Sequence, residues 1–367
     1  MKQKRNMLPI LLGILLAVVL VLVVIVFGAG MKAKQDEESV PQTESAVSAV
    51  QNGTSVVSET PSAEESSVVS EPEETKPLEG TEDFVIFGVD SRENNLGKGT
   101  RSDSMMVVHV DHETKTVRLT SIYRDCMMKI EGHDFNKAAH AHSYGGPDLA
   151  IQMLNENLDL SLEHYVTVNF ITVGDLIDQI GGVEQDINDA EIEYINGYID
   201  EVNGVRGTSS AHITTAGTYT LDGTQAVAYS RIRYTKGADY KRAERQRTIL
   251  FKVFAKAKEL DTIGRIQLAE KMLDEISTNY HTDEMVALLQ DLSSYTMEDM
   301  TAYPQVFYGG SVSGKWYEVP VTLVDMASGV HVFLYGETDY EPSETVKQIS
   351  KSMQGKASKA NYHLTEY

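Results

Sequence analysis

Cysteine and tryptophan each occur once in 367 residues, as Cys126 and Trp316. A lone thiol excludes an intramolecular disulfide framework and any cysteine-rich zinc centre. Basic side chains are scarce beside acidic ones, 32 against 54, for a formal charge of −22. That balance argues against holding a nucleic acid through phosphate contacts, so no nucleic-acid partner is expected. Several catalytic signatures are also missing. Gly97-Lys-Gly-Thr100 resembles part of a P-loop, but the full G-x-x-x-x-G-K-[ST] pattern is absent. No G-x-S-x-G nucleophile elbow occurs. His133, His140 and His142 fall close together without cysteine or H-E-x-x-H support, and read as loop histidines rather than metal ligands. There is no internal repeat.

What is present is distributed unevenly. Met7 to Gly28 carries no charged residue. At about 1.5 Å per residue it is long enough to cross a bilayer core of roughly 30 Å. Lys2, Lys4 and Arg5 precede it, which places the amino terminus in the cytoplasm and the remainder outside the cell. A cleaved signal peptide is the competing interpretation, but the run exceeds a signal h-region in length. Asp36 to Asp83 then has thirteen acids, one lysine and no aromatic residue. Such a segment buries too little apolar surface to offset its ordering entropy, so a disordered, extended linker is expected.

From Phe84 onward, short apolar runs alternate with turn residues. Phe84–Asp90, Ser104–Asp111 and Thr116–Ile122 read as strands, the last two as a hairpin. Asp148–Leu158 has helical spacing after Gly145-Gly146-Pro147. His164–Phe170 reads as a strand, Val173–Ile180 as a helix stopped by Gly181-Gly182. Ala226–Arg233 reads as a strand and Ala243–Leu260 as a long helix. Further helices are expected near Leu268–Ile276, Asp283–Leu292 and Glu344–Met353, and a strand at Trp316–Val319. The expected fold is α/β. The division is a cytoplasmic tail 1–6, a membrane helix 7–28, a linker 29–83, a core 84–260, a C-terminal part 261–354 of the same extracellular domain, and a polar tail 355–367.

Positive charge concentrates in one window. Ser230 to Arg247 holds Arg231, Arg233, Lys236, Lys241, Arg242, Arg245 and Arg247. In a strand Arg231 and Arg233 share a face. On the following helix Arg242, Arg245 and Gln246 lie at i, i+3 and i+4. Guanidinium forks suit phosphate, so two converging arginine pairs suggest a diphosphate pocket; a solvated basic helix is the plainer alternative. A second cluster gathers at strand ends: Asp90-Ser-Arg92, Arg101-Ser-Asp103 and Arg124-Asp125. Asp90 and Asp103 are a modest oxygen set for Mg²⁺, or else turn acids paired with the neighbouring arginines.

These motifs in this order resemble the LytR-CpsA-Psr family of Gram-positive cell-envelope proteins. The matching stretches are Phe87-Gly-Val-Asp-Ser-Arg92, Arg101-Ser-Asp103, Ser121-Ile-Tyr-Arg-Asp125, Lys137-Ala-Ala139, Tyr144-Gly-Gly-Pro147 and His164-Tyr-Val166. They continue through Ile180-Gly-Gly-Val183, Leu221-Asp-Gly-Thr-Gln-Ala226, Tyr229-Ser-Arg-Ile-Arg233 and Asp239-Tyr-Lys-Arg-Ala-Glu-Arg-Gln246. Tyr123 stands where the family usually has Pro, and Lys241 where Gly is common. The resemblance implies a three-layer α/β/α domain with a central mixed sheet. It implies a membrane-anchored phosphotransferase that moves a glycopolymer (teichoic acid, capsule or similar) from an undecaprenyl-diphosphate carrier to peptidoglycan. It assigns Mg²⁺ or Mn²⁺ to Asp90 and Asp103. It assigns the diphosphate to Arg92, Arg101, Arg124, Arg231, Arg233, Arg242, Arg245 and Gln246, with Arg124, Asp125 and Arg242 at the chemistry. Asp125 is a proton acceptor or an arginine orienter. A lipid substrate calls for an apolar groove, which the helices at 149–158 and 173–180 would line if they are not plain core. Hydrolysis of a lipid diphosphate at the same site, and a non-enzymatic wall-binding or regulatory role, are the alternatives.

Overall fold

The computed structural model describes residues 80–91, 95–234, 238–260, 268, 272, 275–280, 295–357 and 362–366. The expected membrane helix, almost all of the expected linker, Arg92 and the expected helix at 283–292 lie outside these residues. Among the described residues no helix is long and apolar enough to cross a membrane.

The fold is mixed α/β around a six-stranded sheet. In chain order its strands are β1 (Thr81–Val89), β2 (Ser102–Asp111), β3 (Thr116–Ile122), β6 (His164–Asn169), β9 (Ser277–Thr278) and β10 (Thr296–Tyr303). They lie in the order β10-β3-β2-β1-β6-β9. The β1–β2 and β2–β3 pairs are antiparallel, whereas β1–β6 and β3–β10 are parallel. Two small hairpins complete the first part, β4 (Met127–Ile130) with β5 (Asp134–Lys137), and β7 (Val183–Ile187) with β8 (Gly217–Leu221). A second sheet joins β11 (Val306–Val312), β12 (Lys315–Pro320) and β13 (Tyr362–Glu366).

The apolar run of β1 is continuous because both faces of the sheet are covered. Side chains alternate across a strand, so the core divides in two. Phe84, Ile86, Met106 and Leu119 pack against α2 (Phe170–Gln179), α3 (Asp189–Arg206), α4 (Gly223–Arg231) and α5 (Ala238–Glu259). Val85, Phe87, Met105 and Val107 pack against α1 (Ala139–Leu158), α6 (Leu323–Tyr335) and α7 (Glu344–Ala357).

Four expectations are corrected. Ala226–Arg233 is not a strand: α4 starts at Gly223 under a reciprocal capping box of Asp222 and Gln225 and runs to Arg231. Every residue from Ala226 to Ser230 is buried, and a short run buried all round has no period that separates helix from strand. The linker boundary at 83 also moves, since β1 begins at Thr81 and Asp83 accepts from Tyr335 at 2.8 Å and meets His109 at 2.7 Å. The polar tail contains β13, paired with β11. His140 and His142 sit in the first turn of α1 rather than in a loop.

Close approach of α4 to α2 needs Gly223, where an added Cβ would lie 2.0 Å from the Gly174 carbonyl oxygen. Gly223→Ala is expected to destabilise by at least about 1–3 kcal/mol, read as a lowered midpoint in thermal melts.

His142 is fully buried, sits edge-on to Phe87 and donates from Nδ1 to the Thr100 carbonyl at 2.9 Å. Burial pulls its ring below the ordinary value of 6.5, and burial with Arg101 and Lys137 nearby does the same to His140. A depressed folded-state value means the unfolded chain takes up these protons first. Their stabilisation is complete above pH 6.5 and fades as pH falls below it. Melts should therefore drop between pH 7 and 5, and His142→Gln should flatten that slope even though it lowers the midpoint itself. The depressed acids Asp111 and Asp134 act in a separate window, below 3.8.

Candidate active site

The carboxyl ends of the parallel strands β1, β3, β6 and β10 share one rim of the sheet, and the charged motifs meet there. Asp90 follows β1, Asp103 opens β2, and Arg124 follows β3. The Asn169 side chain accepts from the Thr172 N–H at 2.9 Å and starts α2 with Phe170 at the rim. Arg231 ends α4, Arg233 follows two residues later, and the first turns of α5 present Arg242 and Gln246. Together with Arg101, Tyr198 and Tyr234 these residues line a polar cavity of about 220 Å³. Five arginines there face two aspartates, within a chain that is acidic overall.

The arginines are held by specific partners. Arg124 Nη1 meets Asp103 Oδ1 at 2.6 Å, and Arg233 Nη2 meets Asp103 Oδ2 at 3.4 Å. Arg231 pairs with Glu201 at 3.0 Å, and its guanidinium carbon sits 4.8 Å from the Phe170 ring centre and 5.5 Å from that of Tyr198. Burial, with Tyr234 close by, raises the Tyr198 phenol above its ordinary value, so it enters the site as a hydrogen-bond donor. Arg242 is 4% exposed yet lines the cavity. Asp125 is not among the lining residues; it meets Lys137 at 2.9 Å and Arg124 Nε at 3.6 Å.

Arg245 departs from the expectation. It is 6% exposed and turned away from the cavity, with Nε and Nη2 on Glu191 Oε1 at 3.1 and 3.0 Å and Nη1 on the Ile232 carbonyl at 3.2 Å. Helical spacing alone leaves Arg242, Arg245 and Gln246 within about 100° of one another on one face. It is the buried Glu191 carboxylate and the Ile232 carbonyl that draw Arg245 away from the cavity. Phe170, Tyr198, Glu201 and Tyr234 were not singled out from the sequence. Tyr198 and Glu201 lie three apart on α3, a spacing that puts them on one face, but nothing in the sequence ties that face to the arginines.

An apolar cavity of about 90 Å³ adjoins the polar one and shares Phe170 and Gln246 with it. Ile86, Met106 and Val168 of the sheet, Val173 and Leu176 of α2, Val227 of α4 and Ile249, Leu250 and Val253 of α5 form its walls. Of the two helices left open between groove wall and plain core, the one at 173–180 contributes Val173 and Leu176 to this cavity, Leu176 also belonging to the core. The helix at 149–158 does not, because it packs on the opposite face of the sheet.

The sequence model of the LytR_cpsA_psr family matches residues 45–330. This chain belongs to that family. Among its curated LytR_cpsA_psr relatives is the polyisoprenyl-teichoic acid–peptidoglycan teichoic acid transferase TagT of Bacillus subtilis, 29% identical over 57% of this chain and 63% of the relative. TagU of Oceanobacillus iheyensis, with the same transferase name, is 30% identical over 64% of this chain and 70% of its own. The matched stretch is less than two thirds of the TagT length. A solved LytR-CPS2A-psr protein, YwtF (TagT) with bound octaprenyl pyrophosphate lipid, superposes with a TM-score of 0.51 at 23% identity, covering 78% of this chain and 95% of that one. This likeness shows the shared fold.

Proposed function

We propose that the chain is a membrane-anchored phosphotransferase that moves a glycopolymer from a polyprenyl-diphosphate carrier to peptidoglycan. The observation that carries the reading is the junction of the two cavities. One is lined by guanidiniums, the other by aliphatic side chains, and Phe170 and Gln246 belong to both. A diphosphate esterified to a prenyl chain has that same sequence of chemistry. The solved relative's octaprenyl pyrophosphate and the transferase names of the curated relatives point the same way. Residues 7–28 would hold the folded unit at the outer face of the membrane, where its lipid substrate resides.

In the proposed reaction an acceptor hydroxyl attacks the glycan-bearing phosphorus. A new P–O bond forms to the acceptor, the bridging P–O bond breaks, polyprenyl phosphate leaves, and the hydroxyl proton passes to the leaving phosphate or to solvent. Such a transition state asks for charge neutralisation and alignment more than covalent chemistry. Arg124, Arg231, Arg233 and Arg242 supply fixed donors to the non-bridging oxygens. Stacking on Phe170 and the Glu201 pair hold Arg231 in one orientation. Asp125, gripped by Lys137 and Arg124, suits the orienting role better than the proton-accepting one. Asp90 and Asp103 fit a hard divalent cation: both are carboxylates, both line the cavity, and Mg²⁺ commonly takes one or two such ligands beside phosphate oxygens. When bound, that ion would neutralise diphosphate charge.

Full-length protein in detergent, a polyprenyl-diphosphate glycan, Mg²⁺ and peptidoglycan are expected to yield wall-linked phosphodiester. Absence of that product with verified donor and acceptor overturns the reading, as does equal release of phosphorylated glycan with and without peptidoglycan.

A further inference from the structure

A third cavity, of about 310 Å³, lies farther along the same rim, beside β10 and α5. Tyr123, Tyr240, Glu244, Arg247, Thr301 and Gln305 are among its lining residues. A small polar cleft lies between it and the arginine site. That cleft shares Tyr123 with it on one side and Asp103, Arg124, Arg242 and Gln246 with the arginine cavity on the other. The mechanism above uses none of its own side chains.

Three features define what it would take. The rings of Tyr123 and Tyr240 meet edge to face, with centroids 4.8 Å apart at 78°; Tyr123 is buried and the Tyr240 hydroxyl donates to Glu318 Oε1 at 3.1 Å, so the pair offers the cavity aromatic edge rather than free hydroxyls. Thr301, Gln305 and Glu244 add neutral and acidic hydrogen-bonding groups, with Gln305 Nε2 3.3 Å from Thr301 Oγ1. Arg247 supplies the third. Its Nη1 donates to Ser121 Oγ at 3.2 Å, and among the described residues it makes no ion pair, whereas Lys241 is matched with Glu244 at 2.7 Å. Burial pulls the Arg247 guanidinium below its ordinary value, and Tyr123 and Glu244 nearby offset this only in part. A guanidinium without a carboxylate partner, set in a cavity of ligand size, is a seat for an anion.

We propose that this cavity is a saccharide subsite for an anionic sugar unit, with Arg247 holding the acidic substituent and the tyrosine pair holding the ring. The proposal rests on the transferase reading above and deepens it. Two sources share this chemistry: a carboxylate-bearing sugar of the peptidoglycan acceptor, and a phosphate-bearing sugar of the carried glycopolymer. In either case the sugar would lie along the sheet rim, on the side of the diphosphate away from the prenyl cavity.

The test is direct binding to the full-length protein of three probes: a soluble peptidoglycan fragment, bare polyprenyl diphosphate, and polyprenyl diphosphate bearing its glycan. Arg247→Gln is expected to weaken one saccharide-bearing probe by about tenfold or more, as for a lost hydrogen bond to a charged group. Bare polyprenyl diphosphate should stay within about twofold of wild type. Loss confined to the peptidoglycan fragment identifies the acceptor; loss confined to the glycan-bearing lipid identifies the donor; either supports the subsite. Unchanged affinity for both saccharide probes overturns it. Should Arg247→Gln fail to fold, the surface variants Lys241→Glu and Gln305→Ala together carry the same comparison with the same criteria. Failure of wild type to bind bare polyprenyl diphosphate would strike the transferase reading instead and leaves the peptidoglycan-fragment comparison readable.

Discussion

Arg231→Ala is expected to lower the rate constant for glycan transfer by about 10²–10³-fold, the range for removing one fixed donor from a developing oxyanion. Its thermal midpoint should shift by only a few degrees, because the Arg231–Glu201 pair is partly exposed and such pairs contribute about 0–1 kcal/mol. Arg231→Lys should recover little. An ammonium keeps the charge, but it lacks the planar fork that stacks on Phe170 and Tyr198 and leaves two N–H vectors fixed toward a phosphate. The assay is steady-state transfer from a polyprenyl-diphosphate glycan, with kcat and KM separated. A loss below about threefold in the alanine variant would remove Arg231 from the chemistry. Near-complete rescue by lysine would show that only net charge matters.

The sheet was the most legible part of the molecule. β1, β2 and β3 are apolar runs bounded by turn residues, and the two-faced burial of the sheet is what makes those runs continuous. β10 escaped notice because Thr-Met-Glu-Asp-Met-Thr-Ala-Tyr is polar and irregular. As an edge strand beside β3 it needs only part of one face covered, and its register slips between Met297 and Asp299. The C-terminal part 261–354, read as belonging to the same extracellular domain, shares its core: α6 and α7 cover the same sheet face as α1. At the site, the identity of the charged groups was legible and their direction was not. Asp90, Asp103, Arg101, Arg124, Arg231, Arg233, Arg242 and Gln246 do converge. The strand argument that paired Arg231 with Arg233 was wrong in form, since one ends a helix and the other follows in extended chain. Their convergence comes from the turn at Ile232, a tertiary feature pinned by Arg245.

That pin leads to the second large effect. Arg245→Met should destabilise the fold by about 3–5 kcal/mol, because it leaves the Glu191 carboxylate buried without its partner. Both side chains are almost wholly inaccessible, at 7% and 6%. Glu191 has a second duty: its other oxygen accepts from the Asn188 N–H at 3.1 Å and closes the capping box of α3. Glutamine can keep that box, so Glu191→Gln with Arg245→Met removes both charges and retains the cap. The double variant should therefore recover much of the loss, an interaction readable in a double-mutant cycle by chemical denaturation. It should remain below wild type by about 1 kcal/mol, the hydrogen bond from Arg245 to the Ile232 carbonyl being gone. Because Ile232 separates Arg231 from Arg233, the refolded double variant should also bind polyprenyl diphosphate more weakly although no cavity residue has changed. The contrast with Arg231 is the decisive point: one arginine removes activity and spares the fold, the other removes the fold first. An Arg245→Met protein that keeps its wild-type midpoint yet loses diphosphate affinity would return Arg245 to the ligand and reverse the assignment made from its contacts with Glu191.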